Sequence, residues 1–145
     1  MTLLPKKSQL ILNIQRSVDA RGSILSIVDN KVLNVSIIES DKNTIRSNHY
    51  HIKDYHFMYV LEGEVDYFFK SLYSDEVNYL KILKGQTIFT PNKEIHATYF
   101  AKKTKLIVSS GLPRDQKTYE NDTIRVEFIN HNNIYQMLQK HAPVK

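Results

Sequence analysis

The 145-residue chain contains no cysteine and no tryptophan, only four glycines and four prolines, and no long apolar run. Without cysteine there is no disulfide frame, no thiolate nucleophile and no Cys-ligated zinc. Any metal must be held by His, Asp or Glu. So few Gly and Pro leave no low-complexity or linker segment, and no internal repeat is visible. No apolar stretch approaches the roughly 20 residues that span a bilayer, so no membrane partner is expected. The opening MTLLPKKSQLILNIQ lacks the order of a signal peptide. Its charges follow the first leucines and no small-residue cleavage site comes after, so a cytoplasmic location is expected.

What is present is an ordinary globular composition, 41% hydrophobic and 24% charged. This length fits one domain with one core. We expect a single domain over 1–145, with its core at about 8–130 and a tail from 131 to 145. The net charge of +5 raises the question of nucleic acid. The lysines, however, are scattered at turn-like positions, and no basic stripe with interleaved aromatics appears. No nucleic-acid partner is expected. A mild positive field suits an anionic or phosphorylated small molecule.

Strand signals dominate. QLILNIQ, GSILSIVD, KVLNVSIIES, FMYVLEG, EVDYFFK, VNYLKIL, TIFTP, ATYFA, KLIVSS and TIRVEFI are short, rich in β-branched and aromatic residues, and separated by polar turns. Strands at this spacing predict an all-β sandwich or barrel. In TIRVEFI, Ile124, Val126 and Phe128 alternate with Arg125 and Glu127. Only HNNIYQMLQKH reads as a helix, with Asn132 or Asn133 as its cap.

Three of the six histidines crowd into HYHIKDYH, at 49, 51 and 56. On a strand, side chains at i and i+2 share a face, so His49 and His51 aim together. Burying two imidazoles is unfavourable unless something meets their polar atoms, and a divalent metal would do so. His96 lies far along the chain in GQTIFTPNKEIHATYF. His131 and His141 sit in the polar tail and are expected to have no site role. By alternation from His56 and His96, Met58 and Val60, then Thr98 and Phe100, face inward. Plain core packing is the competing role for Met58 and Phe100.

The joint spacing resembles the two cupin motifs. The first runs G-x5-H-x-H-x3-4-E-x6-G; here Asn43 takes the leading Gly, His49 and His51 match, His56 stands where the Glu falls, and Gly63 closes it. The second runs G-x5-P-x-G-x2-H-x3-N; Gly85, Pro91 and His96 match, with Lys93 for Gly and Phe100 for Asn. Asn43 tolerates the left-handed turn that glycine would make. The resemblance implies a cupin double-stranded β-helix, or jelly-roll barrel, with a short C-terminal helix. It also implies one divalent transition metal (Zn, Fe, Ni, Mn or Cu) on His49, His51 and His96, with His56 either its fourth ligand or a pocket residue beside it. Imidazole for carboxylate at 56 leaves the ion's charge uncompensated by those four residues, which favours an anionic ligand.

Three further stretches resemble one cupin branch, the sugar-nucleotide epimerases and ketoisomerases of deoxysugar and polysaccharide biosynthesis. They are DARGSIL (19–25), IRSNHYH (45–51, Ser47 for Gly) and SSGLPRDQKTYENDTIRV (109–126). This likeness implies an isomerase or epimerase acting beside a carbonyl, with His49 or His51 as base and Arg46 on an anionic group of the substrate, while the inward-facing Met58, Thr98 and Phe100 would line its pocket. An Fe-dependent dioxygenase and a non-catalytic ligand-binding cupin are the alternatives. Arg21 and Arg114 are expected to pair with Asp19 and Asp115 in their turns. Covering the apolar edge QLILNIQ predicts a homodimer.

Overall fold

The structure, a computed structural model, describes residues 3–142. Twelve strands and two helices follow in chain order: β1 (Gln9–Ile11), β2 (Ile14–Asp19), β3 (Gly22–Ser26), β4 (Asn34–Ser40), β5 (Thr44–His51), β6 (His56–Glu62), β7 (Glu64–Ser71), β8 (Asn78–Leu83), β9 (Thr87–Thr90), β10 (Glu94–Phe100), β11 (Thr104–Ser110), α1 (Gln116–Asp122), β12 (Thr123–Arg125) and α2 (Ile134–His141). One five-stranded sheet runs β1-β9-β6-β11-β4 and the other β12-β5-β10-β7-β8. All their pairings are antiparallel. This is the cupin jelly-roll barrel with a short C-terminal helix. β2 and β3 form a separate hairpin.

Alternation along the strands builds the core. Val60, Val65, Tyr67, Phe69, Ile82, Ile88, Phe100 and Leu106 meet between the sheets, with Met58 and Val108 beside them. A second cluster lies under the tail, where Ile129 and Ile134 cover Phe68, Ala97 and Tyr99. At one end of the barrel apolar side chains give way to the four histidines 49, 51, 56 and 96, all buried.

Three motif positions usually held by glycine keep a left-handed backbone without it. Asn43 has φ 64°, Ser47 φ 71° and Lys93 φ 57°. Each is anchored, or faces the barrel's interior space. The Asn43 amide donates to the Phe100 carbonyl at 2.7 Å, and that of Lys93 to the His51 carbonyl at 2.7 Å. Gly63 (φ 87°) has no such latitude, because a Cβ there would lie 2.3 Å from Thr104 Oγ1 and 2.7 Å from the Lys103 carbonyl.

Four local expectations are corrected. QLILNIQ is not one strand but breaks at Leu12 and Asn13. The Asn13 side chain donates to the Gly85 carbonyl at 2.9 Å and accepts from Thr87 Oγ1 at 2.7 Å, turning the chain out of the sheet into the hairpin. TIRVEFI is a strand only to Arg125, because Asn48 takes over the backbone beyond it. Its carbonyl accepts from Val126 N, and its Oδ1 accepts from Phe128 N at 3.0 Å and Ile129 N at 3.1 Å. HNNIYQMLQKH is not the sole helix. α1 precedes β12, capped by Asp115 Oδ2, which accepts from Thr118 N at 3.1 Å. Its QKTYEND sequence is polar on most sides, so it offers no apolar stripe to read. Finally, Asp115 caps that helix instead of pairing with Arg114. Arg21 does pair with Asp19, at 2.7 Å.

Candidate functional site

β5 carries two of the histidines, and its backbone re-aims them. Ser47 and Asn48 (φ 71° and 57°) are consecutive left-handed residues, and the β5–β10 register shifts between His96 and Ala97 opposite them. Such a bulge bends the strand and turns its side chains. Beyond it His49 pairs with His96 across the ladder. β6 supplies His56, Met58 and Val60 on one face, with Val60 in the core.

The rings form a chain. Centroids of His96 and His49 lie 4.8 Å apart, His49 and His51 4.6 Å, His51 and His56 4.7 Å. One nitrogen each from His49, His51 and His96 fit within 4.8 Å of one another. His56 falls in a different group, with His51 and Asp54, of the same spacing.

Hydrogen-bond partners fix two tautomers. Thr123 Oγ1 donates to the Tyr119 carbonyl at 2.6 Å, so at 3.3 Å from His51 Nδ1 it acts as acceptor. His51 therefore carries its hydrogen on Nδ1, and its buried Nε2 is a lone pair with no partner. His96 Nδ1 lies 3.3 Å from the Glu94 carbonyl, which only accepts, so its Nε2 is bare as well. Behind His51, Asp122 Oδ2 stands 3.7 Å from Nδ1, beyond hydrogen-bond reach but close enough for its charge to act on the ring.

All four imidazoles are held neutral. Burial, then repulsion from His96 and His51, pushes His49 down to about 2. Burial lowers His51 to about 4, with Asp122 opposing it. Burial and then His51 lower His96 to about 3. His56, wholly enclosed, is driven well below its ordinary value by burial and its neighbours. Neutral imidazole is the form that binds a metal or accepts a proton.

The histidines open into a cavity with an inner volume of about 120 Å³. Of the residues singled out from the sequence, Arg46, His49, His51, His56, Met58, His96, Thr98 and Phe100 all line it. Among the described residues Arg46 makes no acidic pair; its Nε donates to Ser40 Oγ at 2.7 Å and its Nη2 to the Glu39 carbonyl at 2.9 Å. Arg114 also lines the cavity, its guanidinium 5.1 Å from the centre of the Tyr119 ring. Tyr119, Thr90 and the supporting residues Asp54, Asp122, Thr123 and Ser110 were missed. Position gives them away only after the fold is known, although the IKDY link between His51 and His56 holds one visible carboxylate.

The donor set fits a transition ion: a buried imidazole nitrogen without partner, neighbours of the same chemistry, and ring orientations fixed from behind. Imidazole suits Zn, Fe, Ni or Cu.

No protein-family model and no curated protein matches the chain. Solved structures do. It is similar to a TDP-bound double mutant of the QdtA 3,4-ketoisomerase of Thermoanaerobacterium thermosaccharolyticum, at 21% identity over 97% of this chain and 100% of that one, TM-score 0.67. A 3,4-ketoisomerase from Helicobacter canadensis gives 13% identity over 91% and 97%, TM-score 0.67. The TDP-fucose-3,4-ketoisomerase WlaRA of Campylobacter jejuni gives 12% over 81% and 87%, TM-score 0.65. At these identities the likeness shows the fold.

Proposed function

We propose that the cavity isomerises a nucleoside-diphosphate keto-sugar, moving its carbonyl between adjacent ring carbons. The observation that carries this reading is the pairing of bare imidazole nitrogens inside the cavity with two guanidiniums, Arg46 and Arg114, on its wall. Three ketoisomerases of the same fold, one of them bound to TDP, support it.

The chemistry needs a base beside a carbonyl and a means of holding the enolate. The base takes the C–H proton next to the carbonyl, and the C–H electron pair becomes the C=C bond of an enediolate. The hydroxyl proton passes to the former carbonyl oxygen. The base, its proton exchanged with solvent, then protonates the former carbonyl carbon, and the carbonyl now stands on the neighbour. In the metal-free chain His51 is that base, through its unpartnered Nε2. With an ion on His51 the task falls to His49. Arg46 and Arg114 hold the diphosphate through charge-assisted hydrogen bonds, while Met58 and Phe100 exclude water from the reacting carbons. A divalent transition ion would be held by His51 together with neighbouring donors of the cavity wall, and when bound it would polarise the carbonyl as a Lewis acid.

The test is incubation with TDP-4-keto-6-deoxyglucose in D₂O, followed by proton NMR. We expect the 3-keto isomer, deuterium at the new position, and at least 100-fold slower turnover in His51→Ala. Full activity in that variant overturns the reading. Tight binding without turnover marks a ligand-binding module, and oxygen uptake on adding Fe(II) marks a dioxygenase.

A further inference from the structure

With imidazole at position 56, the motif alone leaves a bound cation without an anionic ligand. The fold supplies one nearby. Asp54 is buried, 5% exposed. Its Oδ1 accepts from the amides of Tyr55 and Leu112, both at 2.9 Å. Its Oδ2 lies 3.7 Å from His56 Nε2, too long for a hydrogen bond. One donor atom each of His51, Asp54 and His56 lie within 4.8 Å of one another. His51 adds a second observation, since its Nε2 is buried and unpartnered.

We propose that the cavity holds its cation between His51, Asp54 and His56, with Asp54 as the carboxylate ligand. Two ligands each about 2.1 Å from one ion and 3.7 Å apart subtend an angle somewhat wider than tetrahedral. The surroundings suit such an ion. His56 Nδ1 is engaged 3.0 Å from Ser110 Oγ, leaving Nε2 toward Asp54. Thr123 fixes the His51 ring, and Asp122 accepts from the Asp54 amide at 3.0 Å, so both residues are held from behind. In buried surroundings an ion gains more from one carboxylate and two imidazoles than from three neutral imidazoles, because only the former set offsets part of its charge. Two imidazoles and one carboxylate with open positions also suit Fe(II) or Zn(II). His49 and His96 are then free to face the substrate, which gives the cavity a metal end and a proton-moving end. This inference rests on the ion-binding part of the reading above and not on isomerisation.

The experiment is Co(II) titration of untagged, chelator-treated protein, followed by visible absorption. Asp54→Asn keeps the Oδ1 acceptor and removes the charge. We expect Asp54→Asn and His56→Gln to weaken Co(II) binding by at least about 10-fold, the loss that even an outer-shell partner causes, and His49→Gln and His96→Gln to change it less than about threefold. An unchanged Asp54→Asn overturns the assignment. So does a tenfold loss in His49→Gln or His96→Gln, or no binding by the unaltered chain at about millimolar Co(II). Should a variant fail to fold, Zn(II) titration of the unaltered chain decides by imidazole ¹⁵N NMR. Shifts at His51 and His56 support the site, and shifts at His49 and His96 in their place overturn it. These readouts stand whether or not TDP-4-keto-6-deoxyglucose is turned over, so the two proposals fail separately.

Discussion

His51 donates its Nδ1 hydrogen to Thr123 Oγ1, 3.3 Å away, because the Thr123 hydroxyl already donates to the Tyr119 carbonyl at 2.6 Å. The first residue of β12 thus decides which nitrogen of a cavity histidine is bare. Thr123→Val keeps the shape and removes the acceptor. It should cost about 1–3 kcal/mol of stability through two unpaired polar groups, and imidazole ¹⁵N shifts should change from one His51 tautomer to a mixture. A single unchanged tautomer in the variant would show that Thr123 does not set it.

Enclosing four neutral imidazoles makes the metal-free protein sensitive to acid. In the unfolded chain each histidine protonates near 6.5. In the folded chain the values are lower, about 2 for His49, 4 for His51 and 3 for His96. A depressed folded value means that stability is full above 6.5 and is lost as pH falls toward the folded value. Each of these three histidines contributes a loss of about 1.4 kcal/mol per pH unit, so together on the order of 4 kcal/mol per unit between roughly pH 5.5 and 4. Below about 4 His51 protonates in place and its share ends. Urea midpoints at pH 7.5, 6.5, 5.5, 5.0 and 4.5 check this, with a steep drop only below 6.5. A flat profile down to pH 5 would mean that the histidines are solvated or already charged.

Much of the fold was legible because strands announce themselves in two ways, by residue type and by alternation. The histidine spacing did the rest, since His49, His51 and His96 need the same backbone frame as the motif they resemble. The supporting residues were not legible. Asp122 and Thr123 reach His51 from 71 and 72 positions away, and no local pattern encodes a contact of that separation. α1 escaped because a short polar helix has no apolar stripe, and the end of β12 because Asn48, 80 positions upstream of Phe128, captures its backbone. Arg114 was misassigned for a local reason: its neighbour Asp115 looked like its partner but is a helix cap.

Lys93 occupies a left-handed position, φ 57°, where the cupin motif has glycine. A side chain there costs about 1–2 kcal/mol, partly offset because glycine loses more freedom on folding, about 0.5–1 kcal/mol. Lys93→Gly keeps the amide that donates to the His51 carbonyl. It should stabilise the protein by about 0.5 kcal/mol, seen as a higher urea midpoint with an unchanged slope. A loss of stability would mean that the lysine side chain contributes more than its backbone costs.

The outward face of β4 presents Val35 and Ile37, 61% and 68% exposed, while Ile38 of the same strand turns into the cavity. The separate β2–β3 hairpin exposes Val18 and Ile24, at 74% and 61%, and β1 leaves one edge of its sheet open. A lone two-stranded hairpin is marginal in water, and exposed apolar side chains on a sheet face mark a candidate association site. A homodimer that covers it is the expected state at micromolar concentration. Ile37→Lys places a charge in that surface without touching the cavity. Sedimentation equilibrium should show the dimer dissociating in the variant while the circular dichroism spectrum is retained. A monomer from the unaltered chain would leave the hairpin to be covered by something else. A dimer indifferent to Ile37→Lys would place the contact on the hairpin or on β1.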